Sequence, residues 1–299
     1  MTDHAIPLPT KGMPGAWVRR PRSYWSGVAI RLSRDPITLI CAAILIAIVL
    51  AAILAPYLDL TDPYKTSVAR RLKPPGTPGY LLGTDELGRD LLTRLIYGGR
   101  LSLLMGFVPV VIATLVGGSL GILAGFAGGL VNTAIMRTMD VFYAFPSVLL
   151  AVAISGVLGG GVVNGLLSLT LIFIPSIARV SESVTMAVST QDFVDAARVT
   201  GAYPHQILLT HILKNVIGPI LVFASSLISI SIVIAAGLSF LGLGVAPPQA
   251  EWGLMLSTLR PSIYVAPLNS ILPGAMIFIS SMCFNLVSDG LRNAMDVKA

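Results

Sequence analysis

The sequence has 299 residues, of which 11% are charged and 55% are hydrophobic, with a formal net charge of +6. A soluble domain usually has about 25% charged residues, so this chain has too few to cover a water-soluble globule. The apolar content excludes a disordered chain, and the presence of two cysteines excludes a secreted disulfide scaffold.

Long uncharged runs indicate a polytopic membrane protein. Five runs contain no Asp, Glu, Lys or Arg, and each is at least 23 residues long. Because a bilayer-spanning helix needs about 20 apolar residues, we predict an all-α protein with six transmembrane helices. Turn residues at Gly159, Gly160 and Gly161 separate the third and fourth helices. The predicted spans are 37–57, 101–126, 139–158, 163–180, 216–240 and 269–288.

The ends of the chain indicate its topology. Residues 1–36 are basic and contain no early apolar stretch, so we predict no cleavable signal peptide and a first span that acts as a signal anchor. The positive-inside rule favours cytoplasmic termini, although Arg70, Arg71 and Lys73 fall on the opposite side. The predicted domains are a cytoplasmic segment 1–36, a first transmembrane helix 37–57, an extracytoplasmic segment 58–99, a five-helix core 100–290 and a cytoplasmic tail 291–299.

Glycines repeat along the second predicted span. Gly117, Gly121, Gly125 and Gly129 are four residues apart, which places them on one helix face and permits a close helix contact. Ordinary helix packing is the preferred interpretation, and a seam that slides during transport is the alternative.

Several function classes are disfavoured by what the sequence lacks. None of its lysines follows a G-x-x-x-x-G pattern, so the chain is not an ATPase by itself. His4, His205 and His211 all lie outside the predicted spans, which argues against a membrane hydrolase, and we predict no catalytic residue. The spans carry no ionisable group at their centres, which disfavours a stand-alone secondary carrier. Cys41 and Cys283 suit packing, and no metal site is predicted.

The polar stretch 179–214 between the fourth and fifth predicted spans contains a helical pattern. A short helix is expected to start near Thr190, with Asp192 and Asp195 in its first turns, where the helix dipole favours them. Gly201 is placed to end it. Pro204 then suits the start of a second helix that runs to about Lys214.

This helix–Gly–helix arrangement has two possible roles. Phe193, Ala197 and Gly201 lie four residues apart on one small apolar face, whereas Asp195 and Arg198 lie on another. A surface that docks into a partner and an ordinary solvated loop both fit this composition.

The same residues resemble the signature loop of ABC importer permeases. That loop has the pattern E-A-A, three residues, G, and about ten residues later I-x-x-P; this chain has Asp195-Ala196-Ala197, Gly201 and His211-Ile212-Leu213-Lys214. Asp195 keeps the charge of the family Glu, whereas Lys214 replaces the family Pro. The resemblance implies an ATPase-coupling elbow within 181–215, working through 190–215. Its residues would be Asp192, Phe193, Asp195, Ala196, Ala197, Arg198, Gly201, His211 and Ile212.

Other motifs are similar to the C-type member of dipeptide, oligopeptide and nickel permease pairs. The run Gly83-Thr84-Asp85-Glu86-Leu87-Gly88-Arg89-Asp90 resembles the entry segment of that group. Ser288 and Asn293 stand where the group usually has Gly and Asp. The resemblance continues through Ala124–Gly129, Met136-Arg137, Phe145-Pro146, Leu238–Gly244, Glu251-Trp252-Gly253 and Phe284–Arg292.

This resemblance implies a type I ABC importer permease fold and one half of a heterodimeric pore in the bacterial inner membrane. The implied partners are a homologous second permease, two ABC ATPases that bind ATP and Mg, an extracytoplasmic solute-binding protein and the lipid bilayer. Nucleic acid is not expected, nor a cofactor in this chain. The implied solutes are di- and oligopeptides, with nickel chelates, glutathione and sugar derivatives as alternatives.

Further site residues each have two interpretations. Asp85, Glu86, Arg89 and Asp90 either contact the binding protein or form a salt-bridged surface. Ser225, Ser226 and Ser229 either line the pore or bond to their own helix. Trp252 is expected to be an interfacial anchor, and Arg137 and Asp140 to set the position of a helix end.

Overall fold

A computed structural model describes residues 24–295, so the outer parts of the predicted segments 1–36 and 291–299 lie outside the described residues. Apart from two isolated β-bridges, the regular structure in this range is helical. The helices are α1 (Tyr24–Leu32), α2 (Pro36–Leu54), α3 (Leu91–Ala127), α4 (Gly129–Tyr143), α5 (Ser147–Leu158), α6 (Val162–Ser189), α7 (Asp192–Val199), α8 (Pro204–Phe240), α9 (Trp252–Leu259) and α10 (Pro267–Met295).

Five helices are long and apolar enough to span a membrane, and a bent pair makes a sixth candidate. These are α2 with the short turn that follows it, α3, α6, α8 and α10, together with the pair α4 and α5. The prediction of one continuous third helix over 139–158 is wrong, because α4 ends at Tyr143 and α5 starts at Ser147 at an angle of 84°. Pro146 lies in the break, where its missing N–H and fixed φ interrupt a helix.

Three helices are longer than the apolar runs that predicted them. Helix α3 starts at Leu91, where the Asp90 side chain accepts the N–H of Thr93, and α6 continues to Ser189. The second elbow helix does not end near Lys214, because it continues unbroken through Phe240 as α8. A hydropathy pattern marks the part of a helix that suits lipid, whereas backbone hydrogen bonding continues beyond it.

The glycine repeat packs α3 tightly against α6. A Cβ at Gly121 would collide with the carbonyl oxygen of Ala178, and one at Gly125 would lie 2.7 Å from the carbonyl oxygen of Glu182. Gly117 approaches Ile174 in the same way. Gly129 does not belong to this contact; it starts α4 with a φ of +49° and open space beside it. The repeat therefore predicts the helix contact at three of its four positions.

The two ends of the bundle differ. At one end, here called the elbow end, α7 joins α6 to α8. At the other, the entry end, the segment 58–90 packs with α9 and its flanking loops. Between them, α3, α6 and α8 share the main apolar core, while α2 and α10 lie at its periphery.

Candidate functional site

At the elbow end, α7 is a helix of eight residues that ends at a glycine turn. Gly201 has a φ of +81°, a conformation that L side chains rarely adopt. The N–H of Ala202 donates to the carbonyl oxygen of Ala197 at 3.1 Å, and the N–H of Gly201 donates to the carbonyl oxygen of Arg198 at 3.0 Å. These two bonds close the helix. The sequence pattern therefore located the helix and its end.

A single fully buried side chain fastens α7 to the rest of the chain. Val194 is completely buried and belongs to the same apolar cluster as Ile207 and Ile212 on α8. Sequence reasoning missed Val194, since five of the eight residues of α7 are apolar and their spacing does not mark one of them as the buried position. It also placed Phe193, Ala197 and Gly201 on one apolar face, whereas Ala197 packs against the core and Phe193 is exposed.

The opposite surface of α7 is open to solvent in this chain. Asp195 and Arg198 form an exposed ion pair at 3.0 Å, and Val199 is 88% exposed. A surface salt bridge of this kind contributes little to stability. The exposed elbow residues are Asp192, Phe193, Asp195, Ala196, Arg198, Val199 and Gly201. They form a small mixed surface with an exposed aromatic side chain, as a docking contact requires.

Residues 200–203, which include the turn at Gly201, join α7 to α8, and side-chain contacts also link the two helices. The ring of Phe193 lies 6.4 Å from that of His211, centroid to centroid, and the adjacent Ile212 is fully buried. Both α8 residues lie in a π-helical segment, Ile207–Ile212, that continues directly into the α-helix from Leu213. A displacement of α7 would therefore be transmitted to α8 through Val194 and Phe193.

At the entry end, the acidic and basic residues form an internal network. The Arg89 Nε lies 2.6 Å from Oδ2 of Asp85, and Arg89 Nη2 lies 2.7 Å from Oε1 of Glu86. Asp85 and Arg89 are 2% and 5% exposed, so they have no surface to offer a binding protein directly. For these two residues a role in shaping the segment replaces the predicted contact. Asp90 caps α3, which leaves Glu86 as the member nearest to a contact surface.

The turn that carries this network depends on close backbone packing. Asp85 Oδ1 accepts the N–H groups of Leu87 and Arg89, each at 2.9 Å. Gly88 has a φ of +73°, and a Cβ there would collide with the carbonyl oxygen of Ser67. Burial, and next the charge of Asp85, raise the pKa of Glu86 above its ordinary value. The turn thus holds Glu86 in a partly desolvated position beside exposed Leu87.

Arg94 ties the entry segment to the loop before α9. Its guanidinium donates to the carbonyl oxygens of Pro63 at 2.9 Å and Gln249 at 3.2 Å, and it lies 3.3 Å from Asp85 Oδ2. This role was not predicted from the sequence, because it depends on contacts with residues distant along the chain.

Glu251 and Trp252 lie inside the protein at the start of α9. The indole N–H of Trp252 donates to the carbonyl oxygen of Leu95 at 2.8 Å, and the ring is fully buried. The prediction of an interfacial anchor is therefore wrong. Gly98 and Gly99 leave room for the ring, since a Cβ at Gly99 would lie 3.1 Å from it.

The three serines predicted for the pore do not share one cavity. Ser225, Ser226 and Ser229 each donate to a carbonyl oxygen three residues earlier in α8, at 2.7 to 2.8 Å. Ser225 lines an apolar cavity of about 260 Å³, whereas Ser226 lines a separate cavity of about 510 Å³ whose walls include Asp289 and Arg292. Ser229 is 5% exposed. Pore lining by these serines stays a prediction.

Polar contacts also link α4 to α6. Asn132 Nδ2 donates to Oε1 of Glu182 at 2.8 Å, and Asp140 pairs with Arg179. Arg179 and Glu182 thus belong to α6 rather than to a loop. Asp140 lies in the last turn of α4 and links it to α6, and its role in setting the helix end stays a prediction. Within residues 24–295, no group of three or more His, Cys, Asp or Glu is placed to hold a metal ion.

The chain matches two known families. Residues 117–298 match the family described as binding-protein-dependent transport system inner membrane component. Residues 23–75 match the N-terminal TM domain of oligopeptide transport permease C.

Individual relatives agree with these matches. The di/tripeptide transport system permease protein DppC of Pseudomonas aeruginosa is 42% identical over 259 residues, which cover 85% of this chain and 86% of the relative. The glutathione transport system permease protein GsiD of Salmonella typhimurium is 37% identical over 296 residues, covering 99% of this chain and 95% of the relative.

A solved structure shows the fold. The inward-facing MetNI methionine ABC transporter has a chain that matches with a TM-score of 0.56 at 18% identity, covering 68% of this chain and 97% of that one. The likeness extends over nearly the whole of the solved chain, and it confirms the predicted permease fold.

Proposed function

We propose that this chain, which belongs to the family of binding-protein-dependent transport system inner membrane components, forms one half of the pore of an ATP-driven importer for di- and oligopeptides. Members of the family are permease subunits that catalyse no reaction themselves. The energy for import therefore comes from separate ATPase subunits, which bind ATP and Mg.

The observation that carries this proposal is the construction of the elbow. Val194 is the one fully buried side chain of α7, and most of the helix surface is exposed. It is joined to α8 by the buried Ile207 and Ile212 and by the ring of Phe193 against His211. A partner that moves α7 would move α8, the candidate span with the largest buried share in this chain.

The proposed assembly places the elbow end in the cytoplasm and the entry end outside the bacterial inner membrane, with both termini cytoplasmic. Two ATPase subunits dock below, one on this elbow and one on that of a homologous second permease. The solute-binding protein docks on the entry end, where Glu86 and exposed Leu87 are the nearest candidates for contact.

Glutathione is the second candidate solute. The GsiD relatives align over 99% of this chain, and glutathione is itself a small peptide with free carboxylates. A dipeptide pore and a glutathione pore have the same requirements for this subunit, so the solute is decided by transport measurements.

The test is uptake by the assembled transporter in proteoliposomes. We reconstitute the chain with its second permease, ATPases and binding protein. We expect uptake of labelled dialanine or glutathione only when ATP is present on the side of the membrane that carries the ATPase subunits. Ion-driven uptake by the purified chain alone would instead support a stand-alone carrier. Omitting the binding protein is the matched control, and it should abolish uptake.

A further inference from the structure

The break between α4 and α5 leaves an unusual surface exposed. The two helix axes meet at 84°, and every residue from 141 to 149 is exposed in this chain. Pro146 precedes α5 without any side-chain cap, so the first-turn N–H groups of α5 have no side-chain acceptor there. Irregular backbone of this kind needs water or protein around it.

The break lies within the thickness of a bilayer. Helix α5 has 12 residues and is therefore about 18 Å long, against about 30 Å for a hydrocarbon core. Its far end belongs to the entry end, where the N–H of Gly161 donates to the carbonyl oxygen of Gly244 at 2.7 Å. Each backbone N–H or C=O group that lacks a hydrogen-bond partner in lipid costs several kcal/mol, on the order of the hydrogen bond that it has lost. The break is thus unsuited to a lipid-facing position.

A charged pair lies beside the break. Asp140 on α4 pairs with Arg179 on α6, and the two side chains are 40% and 48% exposed. The Arg179 guanidinium lies 4.9 Å from the centre of the Tyr143 ring, and Arg137 Nη1 lies 3.5 Å from Asp140 Oδ2. A charge that faces lipid is costly within the apolar part of a membrane helix, by up to about 2.5–3.5 kcal/mol at its centre on insertion scales. This face is therefore expected to point away from lipid.

Between the break and α6 lies a cavity of about 390 Å³ with mixed walls. Aromatic and apolar side chains form one part of it, and the hydroxyl groups of Ser147, Ser176 and Tyr143 form another. The Tyr143 hydroxyl lies 3.2 Å from Oγ of Ser176. Such a cavity suits a small molecule that carries both polar groups and apolar side chains.

We infer that the α4–α5 break lines the translocation pathway, and that Arg179 and Asp140 contact the carboxylate and the ammonium group of a peptide in transit. The inference rests on the proposed function and names the part of the pore that recognises charge. The occupant is a zwitterionic peptide with water, since hydroxyls and aromatic rings line the cavity, and Arg179, paired with Asp140, lies over the ring of the lining residue Tyr143. This lining is separate from the α8 serines, whose role in the pore stays a prediction.

Thiol accessibility in the assembled transporter tests the lining. Phe145→Cys and Ser147→Cys are made with Cys41→Ala and Cys283→Ala, which remove both native cysteines of this chain. A charged methanethiosulfonate reagent is expected to label both introduced thiols, and dialanine with its binding protein should slow labelling at least threefold. Ile46→Cys on apolar α2, where Ile46 is 59% exposed, is the matched control and should stay unlabelled.

Two outcomes would overturn the lining. Thiols that react no faster than Ile46→Cys would show that lipid covers the break, and thiols that react only after the second permease is removed would show that the partner covers it. Labelling that dialanine fails to slow would overturn the peptide contact. If the wild-type complex imports neither dialanine nor glutathione, the proposed function fails, whereas normal import with inaccessible thiols defeats only this inference.

A pair of substrates that differ only in the C-terminal carboxylate tests the role of Arg179. The ratio of KM for dialanine amide to KM for dialanine is measured for the wild type and for Arg179→Gln. Loss of the cation is expected to reduce this ratio at least fivefold, mostly by raising KM for the free carboxylate. An unchanged ratio in an Arg179→Gln complex that assembles and hydrolyses ATP would overturn the assignment, because a purely structural defect affects both substrates alike.

Discussion

The Ser102 hydroxyl donates to Oε1 of Glu251 at 3.0 Å and also accepts the N–H of Trp252 at 3.1 Å. One serine on α3 thus fixes both the cap and the first residue of α9. Glu251 completes the arrangement by accepting the N–H groups of Gly253 and Leu254 at 2.9 and 2.8 Å. Four hydrogen bonds therefore locate a short helix that lies beside the entry segment.

Glu251 should make the stability of the transporter depend on pH. Burial raises the pKa of Glu251 above its ordinary value of 4.5, so the folded protein holds this proton more tightly than the unfolded chain. Stability from this group is then greatest at low pH and falls as pH rises from 4.5 through the raised pKa. We expect the melting temperature of the wild type, measured in detergent, to fall relative to that of Glu251→Gln as the pH rises across that interval. A difference that is constant from about pH 4.5 to 7.5 would contradict this.

Asp85→Asn should loosen the entry segment. The substitution leaves the buried guanidinium groups of Arg89 and Arg94 without their shared carboxylate, and breaking a buried pair in this way costs about 3–5 kcal/mol. Limited proteolysis of intact proteoliposomes should show faster cleavage within 58–90, with a lower melting temperature. Lys65→Gln also changes one charge in this segment, but at an exposed side chain, and should change neither measurement. Equal cleavage of the two variants would refute the role given to Asp85.

The elements that sequence could predict are those that depend on local pattern. Apolar runs located the long helices, and Gly201 located the end of α7, since a left-handed turn favours glycine. The burial of Trp252 was not predictable, because it depends on Gly98 and Gly99 leaving space on another helix. Interfacial and buried tryptophans have the same local sequence.

The candidate site divides in the same way. The exposed elbow residues follow from a motif, whereas Val194 is identified only once α7 packs on α8. The four charges of the entry segment were visible, but the burial of Asp85 and Arg89 depends on Arg94 and on the backbone of Pro63 and Gln249. Asp140 and Arg179 are 39 residues apart, and the break that brings α4 onto α6 has no hydropathy signal.

Val194→Ala should weaken the coupling between the loaded binding protein and ATP hydrolysis. A fully buried valine side chain contributes about 1.5–3 kcal/mol, and it is the main apolar anchor of α7. We expect ATPase activity of the assembled complex to lose most of its stimulation by loaded binding protein, with uptake reduced at least fivefold. Val199→Ala removes the same atoms from the same helix at a side chain that is 88% exposed, and it should leave the stimulation within twofold of wild type. A larger effect at Val199 than at Val194 would mean that the exposed face, and not the anchor, limits coupling.

Gly121→Ala should disrupt the contact between α3 and α6. Its Cβ would meet the carbonyl oxygen of Ala178, which is part of a helix backbone and cannot rotate away, so the helices must separate. Overpacking of this kind costs about 1–3 kcal/mol. Gly118→Ala is the matched control on the same helix, since its Cβ would have only Ser181 Oγ nearby, at 3.9 Å.

The control has an expected sign of its own. Alanine is favoured over glycine within a helix by about 1 kcal/mol, so Gly118→Ala should keep or raise the melting temperature of the detergent-solubilised complex while Gly121→Ala lowers it. The two changes add the same methyl group to neighbouring turns of one helix, so the opposite signs isolate the helix contact from helix propensity. If both variants were stabilised, the close approach of α3 to α6 would not exist in the assembled transporter.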